Sequence, residues 1–474
     1  MSHIPEEKNI FAARPWACLA VSATGTFMAT LDGGIVNVGL PTIAHGFGAE
    51  LPFAQWVITV YLLVIACLLP AFGRLGDMRG RRSLYGAGFF LFTLASAVCG
   101  LAPGIWWLIG GRALQGVGAA MLMANGPAIV VQSFPGPERG RALGMIGMVV
   151  SLGSLAGPSL GGLLVGAFGW PSIFYVTVPV GILGMVLSSR VLPDDRRPAA
   201  QSFDYLGAVF YAVGVVFLLV AITHGGRWGW ASPGTLACAG TAALGIWLFL
   251  RRQARVEHPL VDLALFRIRA LLVGNIASLL AFMAMLTNAV MLPFFLVRVC
   301  GFSSQKAGLI MAAMPLAMTF VAPVSGLLSE KTSHALLTGL GMALTAAGLY
   351  SHTLLEPDSG LLRCVAGQAV LGVGMGLFLS PNNNAVLGSA PREKSGVAGS
   401  VMALVRNLGM VSGIALATAV YEAFHTRALA AGQSETAAFV AGFDASLACA
   451  AALALAAALL GATRPANQAR KPTG

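Results

Sequence analysis

The sequence predicts an all-α integral membrane protein, and three observations lead to this fold class. Of the 474 residues, 57% are hydrophobic and only 10% are charged, and the mean hydropathy of +0.80 lies far from that of soluble domains. Apolar runs of about 20 residues, which suffice to cross roughly 30 Å of hydrocarbon as helix, recur along the chain. We predict fourteen transmembrane helices, near residues 16–40, 54–73, 83–102, 105–133, 140–167, 171–191, 204–223, 234–250, 269–298, 305–328, 334–354, 360–386, 396–422 and 438–462.

The basic residues are concentrated in alternate loops, which predicts the orientation of the chain. When the N-terminus is placed in the cytoplasm, twenty-two basic residues fall on the inner side and five face out. The positive-inside rule then places both termini in the cytoplasm, and we expect a multi-pass protein of the cell inner membrane. The net charge of +11 follows from this bias, so we do not expect a nucleic-acid partner.

Several signatures of catalysis or metal binding are absent from the sequence. The seven cysteines lie singly, without a C-x-x-C spacing, and predict neither a disulfide framework nor a metal site. There is no P-loop, which argues against ATP-driven transport, and no H-E-x-x-H or G-x-S-x-G motif. The seven histidines lie in loops or at predicted helix ends. We therefore expect no enzyme activity and no cofactor.

Two long cytoplasmic connections, residues 191–204 and 251–269, divide the chain. The second half of the later connection has the pattern of an amphipathic surface helix. Between them lie two helices that we interpret as an insertion, with six spans before it and six after it. The predicted domains are a six-helix bundle at 1–195, the inserted pair with its linkers at 196–268, and a second six-helix bundle with a short cytoplasmic tail at 269–474.

A weak internal repeat supports two related bundles. The loop "GRLGDMRGRRSL" follows the second span, and "GLLSEKTSHALL" follows the second span of the later six. Duplicated halves are typical of transporters, whose binding site lies near the membrane midplane between the repeats.

Asp32 is the main candidate functional residue, because it lies inside the apolar stretch "FMATLDGGIVNVGLP". A charge at the bilayer centre costs at least ~2.5–3.5 kcal/mol on insertion scales, so such an acid faces a cavity or a partner. In the fourth span, Arg112 and Gln115 share one helical face, and we predict that Arg112 pairs with Asp32. Two alternatives stay open: Asp32 caps a helix near one membrane face, or the pair is static and carries no proton.

The fifth span contains a stripe of small residues. Gly153, Gly157 and Gly161 recur at intervals of four, which lets another helix approach closely, and Gly162 follows them. Pro158 lacks the backbone donor and is expected to bend the helix. Such a smooth interface suits two halves that rock against each other, and it equally suits static packing.

The loop after the second span combines glycine, acid and arginine at fixed positions. Gly73 and Gly80 permit a tight turn, Asp77 can accept hydrogen bonds at a helix N-terminus, and Arg79 and Arg81 anchor at the inner interface. The alternative is an ordinary positive-inside loop.

The later half offers further polar residues for a substrate cavity. Pro381 is expected to end or break its helix and to present Asn382 and its neighbours to a cavity. Arg406 lies within a span and lacks an acidic partner, because Glu422 and Asp444 are expected near helix ends; it either receives an anionic group or snorkels to the interface. A nucleotide site at the nearby alternate glycines is rejected because no strand surrounds them. The candidate cavity residues are Gln115, Asn288, Pro381, Asn382 and Arg406.

Taken together, these motifs resemble the fourteen-span drug:proton antiporters of the major facilitator superfamily over nearly the whole chain. The matching segments are "LDGGIVNVGLP", "GRLGDMRGRRSL", "LIGGRALQGVGAA" and "GSLAGPSLGG". The resemblance implies a major facilitator fold and export energised by inward proton flow, with Asp32 as the proton-coupling acid and Arg112 in its relay. It also implies a cytoplasmic latch at Gly73, Asp77, Arg79, Gly80 and Arg81, and an antiporter motif at Gly153, Gly157, Pro158, Gly161 and Gly162.

The sequence departs from this family pattern in the first motif, where Gly34 and Gly39 replace the usual threonine and alanine. Asn275 and Asn288 stand where exporters of divalent cations often carry an acid, which disfavours such substrates. We expect a monomer in the lipid bilayer that exchanges protons for small amphipathic compounds or drugs. A periplasmic adaptor and an outer-membrane channel are left open. A dedicated exporter of one metabolite or antibiotic, an uptake symporter and a non-transporting sensor or assembly protein remain the alternatives.

Overall fold

The computed structural model describes residues 14–134, 138–193, 203–256, 259–261, 263–390 and 395–462, and these residues are organised in helices. The helices are α1 (Pro15–Gly46), α2 (Leu51–Ala54), α3 (Trp56–Arg79), α4 (Arg81–Gly100), α5 (Ile105–Ser133), α6 (Arg139–Phe168), α7 (Ser172–Tyr175), α8 (Thr177–Val191), α9 (Tyr205–Trp228), α10 (Pro233–Gln253), α11 (Arg269–Phe294), α12 (Ser304–Lys331), α13 (His334–His352), α14 (Leu361–Ser389), α15 (Ser395–Ala430) and α16 (Glu435–Ala462).

Among the described residues, 12 helices are long and apolar enough to cross a membrane, which makes this a multi-pass membrane protein. They include Ser172–Val191, which joins α7 to α8, and Arg269–Val299, in which α11 continues into a π-helical turn. The two other predicted spans correspond to α6 and α13, which are helical but are not among these 12.

Local chemistry accounts for several helix boundaries. Gly80 has a φ of 92°, a conformation that glycine adopts without strain, and it separates α3 from α4 within a single residue. The side chains of Asp204, Ser232 and Ser303 accept a backbone hydrogen bond at the first turns of α9, α10 and α12. These N-caps satisfy donors that the helix itself leaves free.

The helices form two bundles with an inserted pair beside them. In the first bundle α1 packs on α5 and α6, α5 packs on α3 and α4, and α8 packs on α4. In the second, α14 packs on α12 and α13, while α11, α15 and α16 pack on one another. The inserted helices α9 and α10 pack together, and α9 contacts both α3 and α15. The division into six, two and six transmembrane helices stays a prediction.

We call the end of the molecule where α1 meets α2 the Glu50 end, and the end where α3 meets α4 the Gly80 end. The two bundles meet closely near the Glu50 end. Thr42 of α1 lies 3.2 Å from the Ser304 hydroxyl of α12, and Thr418 of α15 donates to the Gln55 side chain. These contacts join the first bundle to the second at the Glu50 end.

The expectation that a helix ends or breaks at Pro381 is wrong. Helix α14 runs continuously from Leu361 to Ser389 with Pro381 inside it. Proline removes the donor that would bind the carbonyl four residues earlier, and the Ser325 hydroxyl donates to that Leu377 carbonyl at 3.0 Å. A neighbouring helix thus satisfies the free acceptor, which lets a membrane helix continue through proline.

The expected positions of Glu422 and Asp444 near helix ends also need correction. Helix α15 continues eight residues beyond Glu422, and α16 begins nine residues before Asp444. An apolar run marks the membrane-embedded segment of a helix, but the helix itself can extend beyond that run. It ends where the backbone conformation changes, as at Gly432, which has a φ of 79°. In the connection at 251–269, the described residues form a short 3-10 helix, Leu263–Arg267, and not a longer amphipathic helix.

Candidate functional site

The structure brings Asp32 of α1 and Arg112 of α5 into a direct ion pair, as the sequence predicts. The Arg112 Nη1 atom lies 2.6 Å from Asp32 Oδ2, and both side chains are 0% exposed. Asp32 lies in the interior of the 32-residue helix α1, which excludes the alternative that it caps a helix end. Whether the pair carries a proton stays a prediction.

Gln115 completes the ligation of the carboxylate. Its Nε2 donates to Asp32 Oδ1 at 2.9 Å and to the Ser96 hydroxyl at 2.9 Å, and its Oε1 accepts from Arg112 Nη1 at 2.6 Å. The Thr177 hydroxyl donates to Ser96 at 3.0 Å. Four helices of the first bundle, α1, α4, α5 and α8, therefore meet at one buried polar cluster.

Arg112 has further contacts that hold its position. Its Nε donates to the Val57 carbonyl at 2.9 Å, and its guanidinium lies 4.0 Å from the centre of the Tyr61 ring, a cation–π geometry. The Nη2 atom is buried without a hydrogen-bond partner. Sequence reasoning missed Tyr61, Ser96 and Thr177, because single residues of these types in apolar helices carry no distinctive spacing.

The geometry defines what the cluster can do chemically. The Asp32 side chain accepts hydrogen bonds from Arg112 and Gln115, and the bond from the guanidinium is charge-assisted. Removal of one partner of a buried ion pair costs about 3–5 kcal/mol, because it leaves an uncompensated charge. Any change that removes or neutralises Asp32 leaves Arg112 as such an uncompensated charge.

The second bundle contains an uncharged counterpart of this cluster. Asn288 of α11 donates to Gln368 Oε1 at 3.2 Å, and His352 Nδ1 lies 3.0 Å from Asn288 Oδ1. All three side chains are 0% exposed. Each has a partner numbered 256 lower in the first cluster: Asn288 corresponds to Asp32, Gln368 to Arg112, and His352 to Ser96.

The correspondence between the two clusters is also visible in the sequence, outside the two loops that suggested the internal repeat. The segments "GRALQGVG" from Gly111 and "GQAVLGVG" from Gly367 align without a gap and share five of eight residues. Aligning the two bundles through these segments would have identified Gln368 and His352 from sequence alone. His352 is the last residue of α13, so its predicted place at a helix end is correct although its side chain is fully buried.

The small-residue stripe of α6 faces two different helices. A Cβ atom on Gly157 would lie 2.9 Å from Gly34 Cα of α1, and one on Gly161 would lie 2.9 Å from the Ile35 carbonyl. Gly153 approaches Thr30 and Phe27 in the same way. On the other side, a Cβ on Gly308 of α12 would lie 2.4 Å from the Pro158 carbonyl, and one on Gly162 would lie 2.7 Å from the Ser304 carbonyl. The motif joins α1 to α6 and also joins the two bundles.

The predicted latch residues lie together at the Gly80 end. Arg81 Nη2 is 2.5 Å from Asp77 Oδ1, across the turn formed at Gly80. Arg79 is exposed, and a Cβ atom on Gly73 would have no neighbouring atom within 4 Å among the described residues. These positions agree with a compact charged turn, while a latch function stays a prediction.

Four of the five predicted cavity residues lie in packed contacts. Gln115 and Asn288 belong to the two polar clusters, Pro381 is buried within α14, and Asn382 donates to the Ser278 hydroxyl at 2.7 Å. Arg406 differs because it is partly exposed. Their roles in substrate binding stay predictions. No group of side chains suited to hold a metal ion occurs in the described ranges.

Comparisons with known proteins place this geometry in context. The family model described as Major Facilitator Superfamily matches residues 22–414 and, in a second overlapping match, residues 275–473. The riboflavin transporter RibZ of Clostridioides difficile strain 630 is 36% identical over 90% of this chain and 92% of its own length. The tetracenomycin C resistance and export protein of Streptomyces glaucescens is 32% identical, over 87% and 78%. The multidrug transporter protein MdtP of Bacillus subtilis strain 168 is 31% identical, over 84% and 73%.

Solved structures support the fold. A POT family transporter in complex with a thioalcohol-conjugated peptide superposes with a TM-score of 0.68, covering 93% of this chain and 94% of that chain at 15% sequence identity. The POT family transporter PepTSo gives a TM-score of 0.67 at 16% identity, covering 94% and 97%. At such identities the likeness concerns the fold alone.

Proposed function

Since the chain belongs to the major facilitator superfamily and is therefore a transporter, we propose that it is a proton-coupled antiporter that exports amphipathic organic compounds across the cytoplasmic membrane. The observation that carries this proposal is the ion pair between Asp32 and Arg112 at 2.6 Å, with both side chains at 0% exposure. A buried acid in a membrane span is expensive to maintain and therefore points to function.

The proposed mechanism depends on competition between Arg112 and a proton for the Asp32 carboxylate. In one state, the one seen in this structure, Arg112 and Gln115 both bind Asp32. In the other state the cluster opens, Arg112 finds other acceptors, and a proton from outside occupies Asp32. Return of the pair expels the proton towards the cytoplasm. Transport is coupled when substrate binding favours the protonation change.

The contacts between bundles support a state that is closed at the Glu50 end. The contacts Thr42 with Ser304 and Gln55 with Thr418 lie there, and so does the close approach of Gly162 to Gly308. We assign the Glu50 end to the outside, because the predicted excess of basic residues lies at the opposite end. The structure then represents the conformation that is closed to the outside.

We extend the proposal to topology and to the membrane. Counting α6 and α13 with the 12 apolar helices gives fourteen spans arranged as six, two and six, the number in the fourteen-span drug:proton antiporters. An even number of spans puts both termini on the same side of the membrane. We propose that this side is the cytoplasm and that the protein is a monomer in the cell inner membrane.

The substrate class is supported by relatives with different cargo. These relatives are named as a riboflavin transporter, a multidrug transporter and a tetracenomycin C export protein. Broad export of drugs and dedicated export of one metabolite or antibiotic therefore both remain candidates. The second is favoured by the relative that is named for export of a single antibiotic.

The experiment that tests the proposal uses everted membrane vesicles with an established proton gradient. A pH-sensitive dye reports the gradient while riboflavin, ethidium, tetracenomycin C and other amphipathic compounds are added one at a time. We expect at least one compound to collapse the gradient in vesicles that contain the protein and not in vesicles that lack it. Collapse by many compounds indicates multidrug export, collapse by one indicates a dedicated exporter, and uptake coupled in the symport direction would contradict the proposal.

A further inference from the structure

We propose that Arg406 forms an anion-binding site in the second bundle, and that the exported compounds are amphipathic anions such as aromatic carboxylates or phenolates. The inference rests on the proposed function and assigns the chemical class of its substrate. Its basis is the contrast between Arg406 and Arg112, which both lie well within membrane-spanning helices.

Arg112 has an ion-pair partner, whereas Arg406 has none among the described residues. Arg112 binds Asp32, Gln115 and the Val57 carbonyl and is 0% exposed. Arg406 has neither an ion pair nor a hydrogen bond among the described residues. It lies deep among the helices and still keeps part of its surface accessible. A permanently charged guanidinium in such a place needs an acceptor that the described side chains do not supply.

The helix geometry argues against snorkelling. Arg406 lies eleven residues from Ser395, the first residue of α15, which is about 16 Å along the helix. It is three residues before Gly409 and seven before Gly413, so the three share one helical face. Cβ atoms on these glycines would lie 2.7 Å from the Leu279 carbonyl and 2.5 Å from the Met283 carbonyl of α11. The face that carries Arg406 is therefore directed at α11 and not at lipid.

Neutral polar groups occupy the same level of the second bundle. Because Gly409 packs at Leu279 and Gly413 at Met283, α15 and α11 run parallel, and Arg406 lies level with the turn of α11 that contains Asn275. The Asn275 Oδ1 atom is buried without a hydrogen-bond partner. Ser278 and Asn382 bind each other one turn away. These groups can orient a polar ligand but cannot neutralise the charge of Arg406.

No described acid is close enough to balance Arg406. Glu422 is sixteen residues further along α15, about 24 Å away along the helix axis. Asp444 lies two residues from Gly442, which contacts Tyr421, so it too is displaced by about 20 Å along the bundle. Asp32 is neutralised by Arg112. The potential around Arg406 is therefore positive, and in a site of low dielectric it attracts an anion strongly.

A guanidinium matches a carboxylate in charge and in shape, because two parallel N–H groups can bind both oxygens. Arg406 lies nearer the Gly80 end than the Glu50 end of α15, and we assign the Gly80 end to the cytoplasm. The site would thus be reached by compounds from the cytoplasm before they are exported.

The test compares two dyes that share a xanthene ring system, fluorescein as the anion and rhodamine 123 as the cation. Binding to the purified full-length protein is measured by fluorescence polarisation without a proton gradient, and export is measured in everted vesicles. We expect the wild type to bind fluorescein in preference to rhodamine 123. Arg406→Gln should weaken fluorescein binding by roughly tenfold or more, as expected for loss of a charge-assisted pair of about 1.4 kcal/mol. Arg406→Lys should retain part of the affinity.

Arg298→Gln is the matched control, because Arg298 is exposed near the Glu50 end and its loss should leave fluorescein binding unchanged. Fluorescein binding to Arg406→Gln equal to that of wild type would overturn the proposal, as would a wild type that prefers rhodamine 123 or binds neither dye. If fluorescein binding depends on Arg406 but no compound collapses a proton gradient, the anion site stands and the antiport function fails. If only cations are exchanged for protons, the antiport function stands and the anion site fails.

Discussion

Asp32, Arg112 and Gln115 form a unit in which each side chain binds the other two. The distances of 2.6, 2.9 and 2.6 Å leave the carboxylate with two strong donors. Removal of either charged residue alone creates a buried charge without a partner, whereas removal of both leaves neutral groups that can still bind each other. Stability and transport should therefore respond differently to single and double substitutions.

We predict that Arg112→Gln lowers the free energy of unfolding by about 3–5 kcal/mol, because it leaves the Asp32 carboxylate buried and unpaired. The double variant with Asp32→Asn should recover most of this loss and remain inactive in proton coupling. Thermal unfolding of the detergent-solubilised protein measures the first effect, and collapse of the proton gradient measures the second. A double variant as unstable as Arg112→Gln alone would show that the ion pair does not account for the loss.

Tyr61 offers a second test at this scale, because its ring lies under the guanidinium at 4.0 Å while its buried hydroxyl has no hydrogen-bond partner. We predict that Tyr61→Phe keeps the stability of wild type. Tyr61→Leu should lose about 2 kcal/mol, the value for a desolvated cation–π contact. Equal stability of the two variants in thermal unfolding would contradict a role for the ring.

The sequence predicted the charged part of this site and missed the rest for a physical reason. A charge in an apolar span has few explanations, so the pairing of Asp32 with Arg112 could be predicted from their positions within predicted spans. Ser96, Thr177 and Tyr61 are tolerated in membrane helices at many positions, so only three-dimensional contact identifies them. The cluster at Asn288 is uncharged and was recognised only in part.

At the level of the helices, the contact between α1 and α6 depends on the absence of side chains. Gly34 and Gly157 face each other so closely that a Cβ on Gly157 would lie 2.9 Å from Gly34 Cα. The adjacent Gly33 has no atom within 4 Å of its Cβ position. Gly33 and Gly34 are therefore adjacent in sequence, but only Gly34 packs closely against α6.

We predict that Gly157→Ala destabilises the protein by about 1–3 kcal/mol, the range for overpacking, because backbone atoms must move apart. Gly33→Ala is the matched control and should stay within about 0.5 kcal/mol of wild type. Thermal unfolding of the two variants under the same conditions checks this difference. If both variants unfold at the wild-type temperature, the close approach of α1 and α6 does not limit stability.

Helix continuity was harder to predict than helix existence. The sequence indicated a break at Pro381, but the free Leu377 carbonyl binds Ser325 of α12 at 3.0 Å. Such compensation depends on which helices become neighbours, and a local sequence pattern does not contain that information. The positions of Glu422 and Asp444 were misjudged for a related reason, since helices extend beyond their apolar runs.

At the level of the whole molecule, the proposed count of fourteen spans requires that both helices of the inserted pair cross the membrane. Helix α9 contacts both bundles, with the Tyr211 hydroxyl donating to the Ala66 carbonyl of α3 at 3.2 Å, and α10 packs on α9. Both helices are among the 12 apolar enough to cross. Fourteen spans require the exposed turn between them, which includes Ala231, to lie outside.

We predict that a membrane-impermeant maleimide labels Ala231→Cys in spheroplasts of cells that produce a cysteine-free variant. Arg255→Cys, beyond the end of α10, should be labelled only after the membrane is permeabilised. Asp358→Cys, exposed between α13 and α14, serves as the control for the outer side. Protection of Ala231→Cys together with labelling of Asp358→Cys would mean that the inserted pair does not span the membrane.

The two-bundle architecture was accessible from sequence because repeated apolar runs and alternating loop charge are global features. The contact of the bundles at the Glu50 end was not, because it depends on small residues from distant segments such as Gly162 and Gly308. The proposed export requires this contact to open. Its opening must be coupled to Asp32 if protons drive export.

The central claim is that the Asp32 carboxylate couples protons to export, and purified protein in liposomes tests it most directly. A compound identified in everted vesicles is supplied, and its accumulation under an imposed pH gradient is compared with its exchange at equal pH. The account predicts that Asp32→Asn loses accumulation by roughly tenfold or more, equivalent to about 1.4 kcal/mol of coupling, yet still exchanges substrate. Asp32→Glu should retain part of the accumulation. Accumulation by Asp32→Asn equal to that of wild type would contradict the claim.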